Sequence, residues 1–254
     1  MSNSENDGFV RTFARGLGVI ESMGRLSVRS NIAQISEAAQ LPRTVVRRLL
    51  MTLIELGFVQ TEGSSYWLTP SVLRLGMAYL YTLPFWQQSQ IALEALGTEV
   101  QQSCAISVLD KEDIVYIQRF HTKRILSMSP GIGSRLPAYA VSMGRVMLAD
   151  FSDEKLSSFL DVVDMKKLTQ RTVTDKHAFL DVIRTIREKG YAWGDREYDD
   201  AICGLAVPIR SQDGKIIAAL NISLLAGEYT EETAVQRFLP LLRLTASQLR
   251  ATAN

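Results

Sequence analysis

Apolar residues recur at helical spacing through the first quarter of the chain, then give way to shorter alternating runs typical of strands. From Phe9 to Ser22, Phe13, Leu17 and either Val19 or Ile20 share one helical face, although Gly16 and Gly18 weaken the segment. A short second helix is predicted at about 34–40, with Ile35 and Ala38 or Ala39 turned inward. Leu41-Pro42 then opens a third helix, from Pro42 to about Leu56, which Gly57 ends. Its residues Val45, Val46, Leu49, Leu50 and Leu53 form one apolar stripe. Phe58-Val59 and Tyr66-Trp67-Leu68 flank Glu62-Gly63-Ser64-Ser65, the pattern of a hairpin. Three helices, the last pair joined by a tight turn and followed by a hairpin, give the order of a winged helix-turn-helix, here over 9–70.

Thr69-Pro70-Ser71 starts a further helix, Val72 to about Tyr81, ending near Pro84. Val72, Leu75, Tyr79 and Leu80 give it an apolar face. It reads as a linker helix over 71–84, with that face packed either on a second subunit or within the chain.

Beyond Phe85 the pattern changes. A helix at about 88–101 precedes strands at Ala105–Leu109, Ile114–Phe120 and Arg124–Ser129. A loop with Gly131 and Gly133 leads to a helix near Ser142–Ala149. Ser152 and Thr174 are the expected N-caps of two more helices, the second ending at Gly190. Strands at Gly204–Arg210 and Ile216–Leu224 flank the turn signal Asp213-Gly214, and Thr230 caps a final helix to about Arg250. Strands joined by short turns, with helices around them, predict an antiparallel α+β domain over 85–254.

The formal net charge of the 254 residues is +1, so a nucleic-acid surface has to be a local patch and not a whole-protein field. Two cysteines, Cys104 and Cys203, without a C-x-x-C or Cys/His cluster, argue against structural zinc and fit a reducing cytoplasm. No stretch is apolar for long enough to span a membrane. The polar, acidic residues Met1 to Asp7 lack the features of a signal peptide and read as a disordered tail.

The third helix concentrates the candidate chemistry. Arg43 and Arg47, and Thr44 and Arg48, are four apart and so share one broad face. Arginine can bridge guanine edges in the major groove or hold phosphates. On an isolated helix such a face is ordinary solvated surface; after a tight turn and before a wing it points to DNA recognition. Met51 suits packing or a thymine methyl. At the wing tip Ser64, Ser65 and Tyr66 suit phosphate or minor-groove contact, or simply a hairpin turn. Catalytic signatures are missing: the sequence has no G-x-S-x-G, no phosphate-binding loop and no G-x-G-x-x-G. Of the two histidines, His177 starts a surface helix, and His121 lies among Arg119, Lys123 and Arg124, either an anion-attracting cluster or a solvated strand edge. The acidic run Asp195 to Asp200 reads as a solvated loop, not a metal site. No catalytic residue, metal or cofactor is expected.

Several stretches resemble the isocitrate lyase regulator (IclR) family of bacterial transcriptional regulators. They include Phe13-Ala14-Arg15-Gly16-Leu17, Arg43-Thr44-x-x-Arg47-Arg48-Leu49-Leu50, Leu56-Gly57-Phe58-Val59 and Trp67-Leu68-Thr69. In the second half they are Arg135-Leu136-Pro137-Ala138-Tyr139-Ala140-x-Ser142-Met143-Gly144-Arg145-Val146, Ala206-Val207-Pro208-Ile209 and Ala218-Ala219-Leu220-Asn221-Ile222-Ser223. The resemblance covers about residues 9–250. It is strongest to the branch regulating protocatechuate, 4-hydroxybenzoate and β-ketoadipate catabolism. It implies a GAF/PAS-like effector domain, homodimers or homotetramers, and a small carboxylate effector; two recognition helices in a dimer would read a palindromic double-stranded operator. It also implies Ser142, Met143, Asp195, Cys203, Gly204, Asn221 and Ser223 as effector contacts, although they would serve equally as a satisfied polar core. The order around Cys203-Gly204 departs from the better-known members, and Gln40 stands where many members have glycine, which implies an unusual φ there. A sensor of a small aliphatic acid and an enzyme acting on its bound acid are the rival readings.

Overall fold

The computed structural model describes residues 8–121 and 130–251. The acidic tail and the strand expected at Arg124–Ser129 lie outside the described residues. The chain divides into two compact units between Leu80 and Tyr81.

In the first unit, α1 (Arg11–Met23) leads to a two-residue strand β1 (Ser30–Asn31), then α2 (Ile32–Ala39) and α3 (Arg43–Glu55). The hairpin β2 (Val59–Glu62) and β3 (Ser65–Leu68) follows, then a 3-10 turn and α4 (Leu73–Leu80). β3 pairs with both other strands in an antiparallel sheet. Asn31 caps α2 reciprocally: its side chain accepts from Gln34 N–H, and Gln34 Oε1 accepts from Asn31 N–H. The α3 stripe is buried as its spacing requires, through Val46, Leu49, Leu50 and Leu53 against Ile35, Val59 and the end of α1. The α1 face differs from expectation. Val19, Ile20 and Met23 are buried, whereas Phe13 is 68% exposed and Leu17 40%. Only the C-terminal half of α1 reaches the shared core, so its first turns keep their apolar side chains in solvent. Ala38 is likewise exposed. α4 buries no residue within its unit.

The second unit opens with α5 (Trp86–Val100), β4 (Ser103–Asp110), β5 (Asp113–Phe120) and β6 (Arg135–Pro137). Then come α6 (Ser142–Leu148), α7 (Asp153–Val162), α8 (Lys176–Lys189), β7 (Ala192–Asp195), β8 (Ile202–Arg210), β9 (Ile216–Leu225) and α9 (Glu231–Ala251). Six strands form one antiparallel sheet in the order β6-β5-β4-β9-β8-β7. One face carries the small residues Ala105, Ala206 and Ala219 and packs against α6, with α8 behind it. The other face meets α5 and α9; there the Phe120 ring lies where a Cβ on Gly97 would stand. The cap of α8 is Asp175, whose carboxylate accepts from Ala178 N–H, one residue beyond the expected Thr174. A carboxylate at that position also meets the positive end of the helix dipole, which a threonine hydroxyl does only weakly.

Candidate functional site

Two places concentrate chemistry, one in each unit. In the first, a groove is lined by Asn31, Ile32 and Ala33 at the start of α2, by Arg43, Thr44 and Arg47 on α3, and by Gly63, Ser64 and Tyr66 of the hairpin. The α3 arginines are exposed, and among the described residues none of them forms an ion pair. Arg48, Met51 and Ser65 lie outside the groove lining. Tyr66 is half-buried against the core while lining the groove, so it props the wing as well as facing outward. The groove takes in the start of α2, whose positive dipole end favours an anion. Arg29 ties the wing down: its guanidinium donates to Glu62 Oε2 at 2.6 Å and lies 4.3 Å from the centre of the Trp67 ring. Sequence reasoning missed Arg29 and the α2 start; the Asn31-x-x-Gln34 capping pattern was the signal for the latter.

In the second unit the sheet and α6 enclose a cavity of about 240 Å³. Strand register explains its position. Gly194, Gly204, Ser223 and Ser103 are paired side by side across four strands. A second such row runs Ala192, Ala206, Asn221, Ala105 and Arg119 across five. Partners in register point to the same face, so this face is floored by small and polar groups, and space remains beneath α6. Ser142 at the start of α6 sits directly above: a Cβ on Gly204 would come 2.7 Å from Ser142 Oγ. Tyr116 and Arg119 are three residues apart, which strict alternation would send to opposite faces. The β4–β5 register shifts at Ile106/Ser107, and this irregularity lets both line the cavity, the Arg119 guanidinium 4.4 Å from the centre of the Tyr116 ring.

Of the residues expected around a ligand, Ser142, Met143, Cys203, Gly204, Asn221 and Ser223 line the cavity and Asp195 does not. Gly194 faces Ser142, so alternation along β7 turns the next residue, Asp195, away. There it pairs with Arg171 and Arg196 and accepts from Cys203 Sγ at 3.4 Å. The Arg196 hydrogen bond above all holds its carboxyl below the usual range. Cys203 is not an activated nucleophile: burial first, then the Asp195 carboxylate, push its thiol up to about 11.

The acid that does reach the cavity wall is Glu197, together with Tyr198 and Asp199. Glu197 is clamped to Arg145 of α6, itself 1% exposed, by two hydrogen bonds, one of them 2.5 Å long. Arg145 Nε also donates to Tyr139 O at 2.7 Å, and Glu197 Oε2 accepts from Val173 N–H. Thr172 Oγ1 donates to Glu197 O at 2.6 Å. This network fixes one wall of the cavity to α6. Arg119 is the described cation on the cavity wall; burial lowers its pKa from the usual arginine value, and its Nε has no hydrogen-bond partner. From the sequence Arg119 stood only in a cluster with His121, Lys123 and Arg124, read as anion-attracting or as a solvated strand edge, and Glu197 only within the acidic run read as a solvated loop; neither was assigned to the cavity. No group of His, Cys, Asp and Glu among the described residues is arranged to hold a metal ion, and no described helix is long and apolar enough to cross a membrane.

A winged helix with a free basic face, carried in one chain with a sheet domain that encloses a polar cavity, defines a ligand-responsive DNA-binding regulator. Residues 12–63 match the IclR helix-turn-helix domain and 77–251 the bacterial transcriptional regulator IclR C-terminal domain. The chain therefore belongs to the IclR family of transcriptional regulators. It is 39% identical over 241 residues to the Pca regulon regulatory protein of Pseudomonas putida, covering 94% of this chain and 82% of that one. A putative transcriptional regulator from Rhodococcus sp. RHA1 superposes with a TM-score of 0.86 at 38% identity, over 96% of this chain and 98% of that one. The second unit is similar to a double mutant of the PobR inducer-binding domain from Acinetobacter, solved with 3-hydroxybenzoic acid. That match has 31% identity and a TM-score of 0.61, over 65% of this chain and 96% of that one.

Proposed function

We propose that this regulator acts on genes of aromatic-acid catabolism. In this reading α3 and the wing bind operator DNA, and a small aromatic carboxylate in the cavity changes operator affinity. The observation that carries it is the cavity itself, whose lining combines a cation, neutral polar groups and apolar residues. Arg119, Ser103, Asn221 and Ser223 offer hydrogen bonds, and Leu136, Ala140 and Met143 offer contact to a ring. The relatives agree in kind, since one regulates a Pca regulon and another is an inducer-binding domain solved with a hydroxybenzoic acid.

On the DNA side, Arg43, Thr44 and Arg47 enter the major groove, with Arg48 and Met51 at the edge of the contact. Ser64, Ser65 and Tyr66 reach the flanking backbone. The exposed apolar residues Phe9, Val10, Phe13 and Leu17 suit contact with a second copy. A homodimer would then read two half-sites about 10 base pairs, or a multiple of that, apart; a homotetramer would double the arrangement. In this reading the protein works in the cytoplasm by binding and not by turnover, as its membership in a family of transcriptional regulators supports.

A thermal-shift screen of the full chain with 4-hydroxybenzoate, protocatechuate, glyoxylate and pyruvate tests the reading. Concentration-dependent stabilisation by the aromatic acids is the expected result. Stabilisation by the aliphatic acids alone would replace it with the aliphatic-acid sensor.

A further inference from the structure

Two buried polar atoms in the described chain have no hydrogen-bond partner, Arg119 Nε and Asn221 Oδ1. Both belong to residues lining the same cavity. The coincidence is informative, because an unsatisfied buried group costs free energy that a fold ordinarily avoids. One is a donor and the other an acceptor. They are held on β5 and β9, both in register with Ala105 on the strand between them. Two strand spacings place their backbones about 10 Å apart on one face.

We propose that these two atoms read opposite ends of one ligand. Arg119 anchors the carboxylate of an aromatic acid, and Asn221 Oδ1 accepts from a hydroxyl at the far end of its ring. The proposal rests on reading the cavity as the effector site, and it narrows the effector to a hydroxylated aromatic monocarboxylate.

Each end is prepared for its role. The Arg119 guanidinium is held by stacking on Tyr116 and by donation from Nη1 to Pro130 O at 2.5 Å. Among the described residues no carboxylate pairs with it. Of the two acids on the wall, Glu197 is already neutralised by Arg145, and Asp199 is exposed with its carboxylate accepting from Ala201 N–H, so solvent screens it from an incoming carboxylate. The Asn221 amide is oriented by donation from Nδ2 to Ser223 Oγ at 3.3 Å, which turns Oδ1 to the unpaired position. Ala105 between them is small enough to leave room for a ring, and Leu136, Ala140 and Met143 supply its apolar walls.

Isothermal titration of the full-length protein with 4-hydroxybenzoate, methyl 4-hydroxybenzoate, benzoate and adipate tests both ends. Arg119→Met is expected to weaken 4-hydroxybenzoate about 30- to 100-fold, the loss of a charge-assisted pair, and to leave the methyl ester unchanged. Arg119→Lys, which keeps charge but loses the planar fork, falls between the two. Asn221→Leu is expected to bind benzoate as before and to lose an advantage of about tenfold for 4-hydroxybenzoate over benzoate. Unfolding midpoints and methyl-ester binding establish that the variants are folded. Wild-type affinity of Arg119→Met for 4-hydroxybenzoate overturns the anchor, and a preserved hydroxyl preference in Asn221→Leu overturns the far end. If the wild type takes adipate and no aromatic acid, the aromatic function fails together with the hydroxyl contact. The anchor then stands only if Arg119→Met also weakens adipate. If the wild type takes none of the four, the anchor, the far end and the proposed function all fall.

Discussion

At Gln40, between α2 and α3, the backbone is left-handed, with φ +52° and ψ +42°. An L side chain is strained there and glycine is not. Gln40→Gly is therefore expected to stabilise the first unit by about 0.5–1 kcal/mol after the entropy cost of glycine; urea unfolding measures it, and a destabilised variant would mean that the glutamine side chain compensates. Along α3, Arg47 lines the groove between helix and wing and Arg48 does not. Arg47→Ala is expected to weaken operator binding about tenfold, Arg48→Ala by less. If the Arg47 contact is to phosphate, the salt slope falls by about one per recognition helix. Equal losses in the two variants would move the recognition face. These residues were legible in the sequence because side chains four apart on a helix must share a face. Arg119 was read only within an anion-attracting cluster or solvated strand edge, and its place on the cavity wall was not legible, because nothing local marks the register shift that brings it onto the same face as Tyr116. Asp195 was read as a ligand contact because it opens the acidic run, yet alternation along β7 turns it from the cavity; Glu197 reaches the wall from beyond the strand end, after the left-handed backbone of Arg196 (φ +56°) has broken the alternation.

Among the elements, long periodic ones were readable, as was the short wing hairpin with its glycine turn, and short strands without a turn signal were not. α3 and the β8–β9 hairpin carry apolar stripes or strong turn signals. β1, β6 and β7 span two to four residues and take their strand character from a neighbour's hydrogen bonds. α6 illustrates what a motif can conceal. Its Ser142-Met143-Gly144-Arg145 stretch was recognised by resemblance, but the physical reasons for it emerge only in three dimensions. A Cβ on Gly144 would stand 2.1 Å from Ala138 O, a backbone atom with little freedom to yield. Gly144→Ala is expected to cost about 1–3 kcal/mol by overpacking. Arg145 reaches Glu197 from the same turn, both nearly excluded from solvent. Removing one partner strands the other charge, so Glu197→Ala is expected to cost about 3–5 kcal/mol. Denaturant unfolding of the second unit measures both; a loss below 1 kcal/mol for Glu197→Ala would show that water replaces the carboxylate.

For the whole molecule, a net charge of +1 requires DNA affinity to come from a local basic patch, which the proposed function assigns to α3, with the ligand assigned to the other unit. A regulator of this kind is defined by the coupling free energy between the two sites, which in other systems is typically about 1–3 kcal/mol, or about 5- to 150-fold in affinity. Coupling is reciprocal, so the factor by which 4-hydroxybenzoate changes operator affinity must equal the factor by which operator DNA changes 4-hydroxybenzoate affinity. Two variants separate the sites. Arg47→Ala should weaken operator binding and still bind 4-hydroxybenzoate as the wild type does. Arg119→Met should bind operator as the unliganded wild type does and no longer respond to 4-hydroxybenzoate at concentrations that saturate the wild type. Fluorescence anisotropy of labelled operator, with and without the acid, measures all four combinations. If Arg119→Met itself shifts operator affinity to the liganded value, the guanidinium is part of the switch and not only of the recognition. Its positive charge would then hold the unliganded arrangement, and the carboxylate would act by neutralising it.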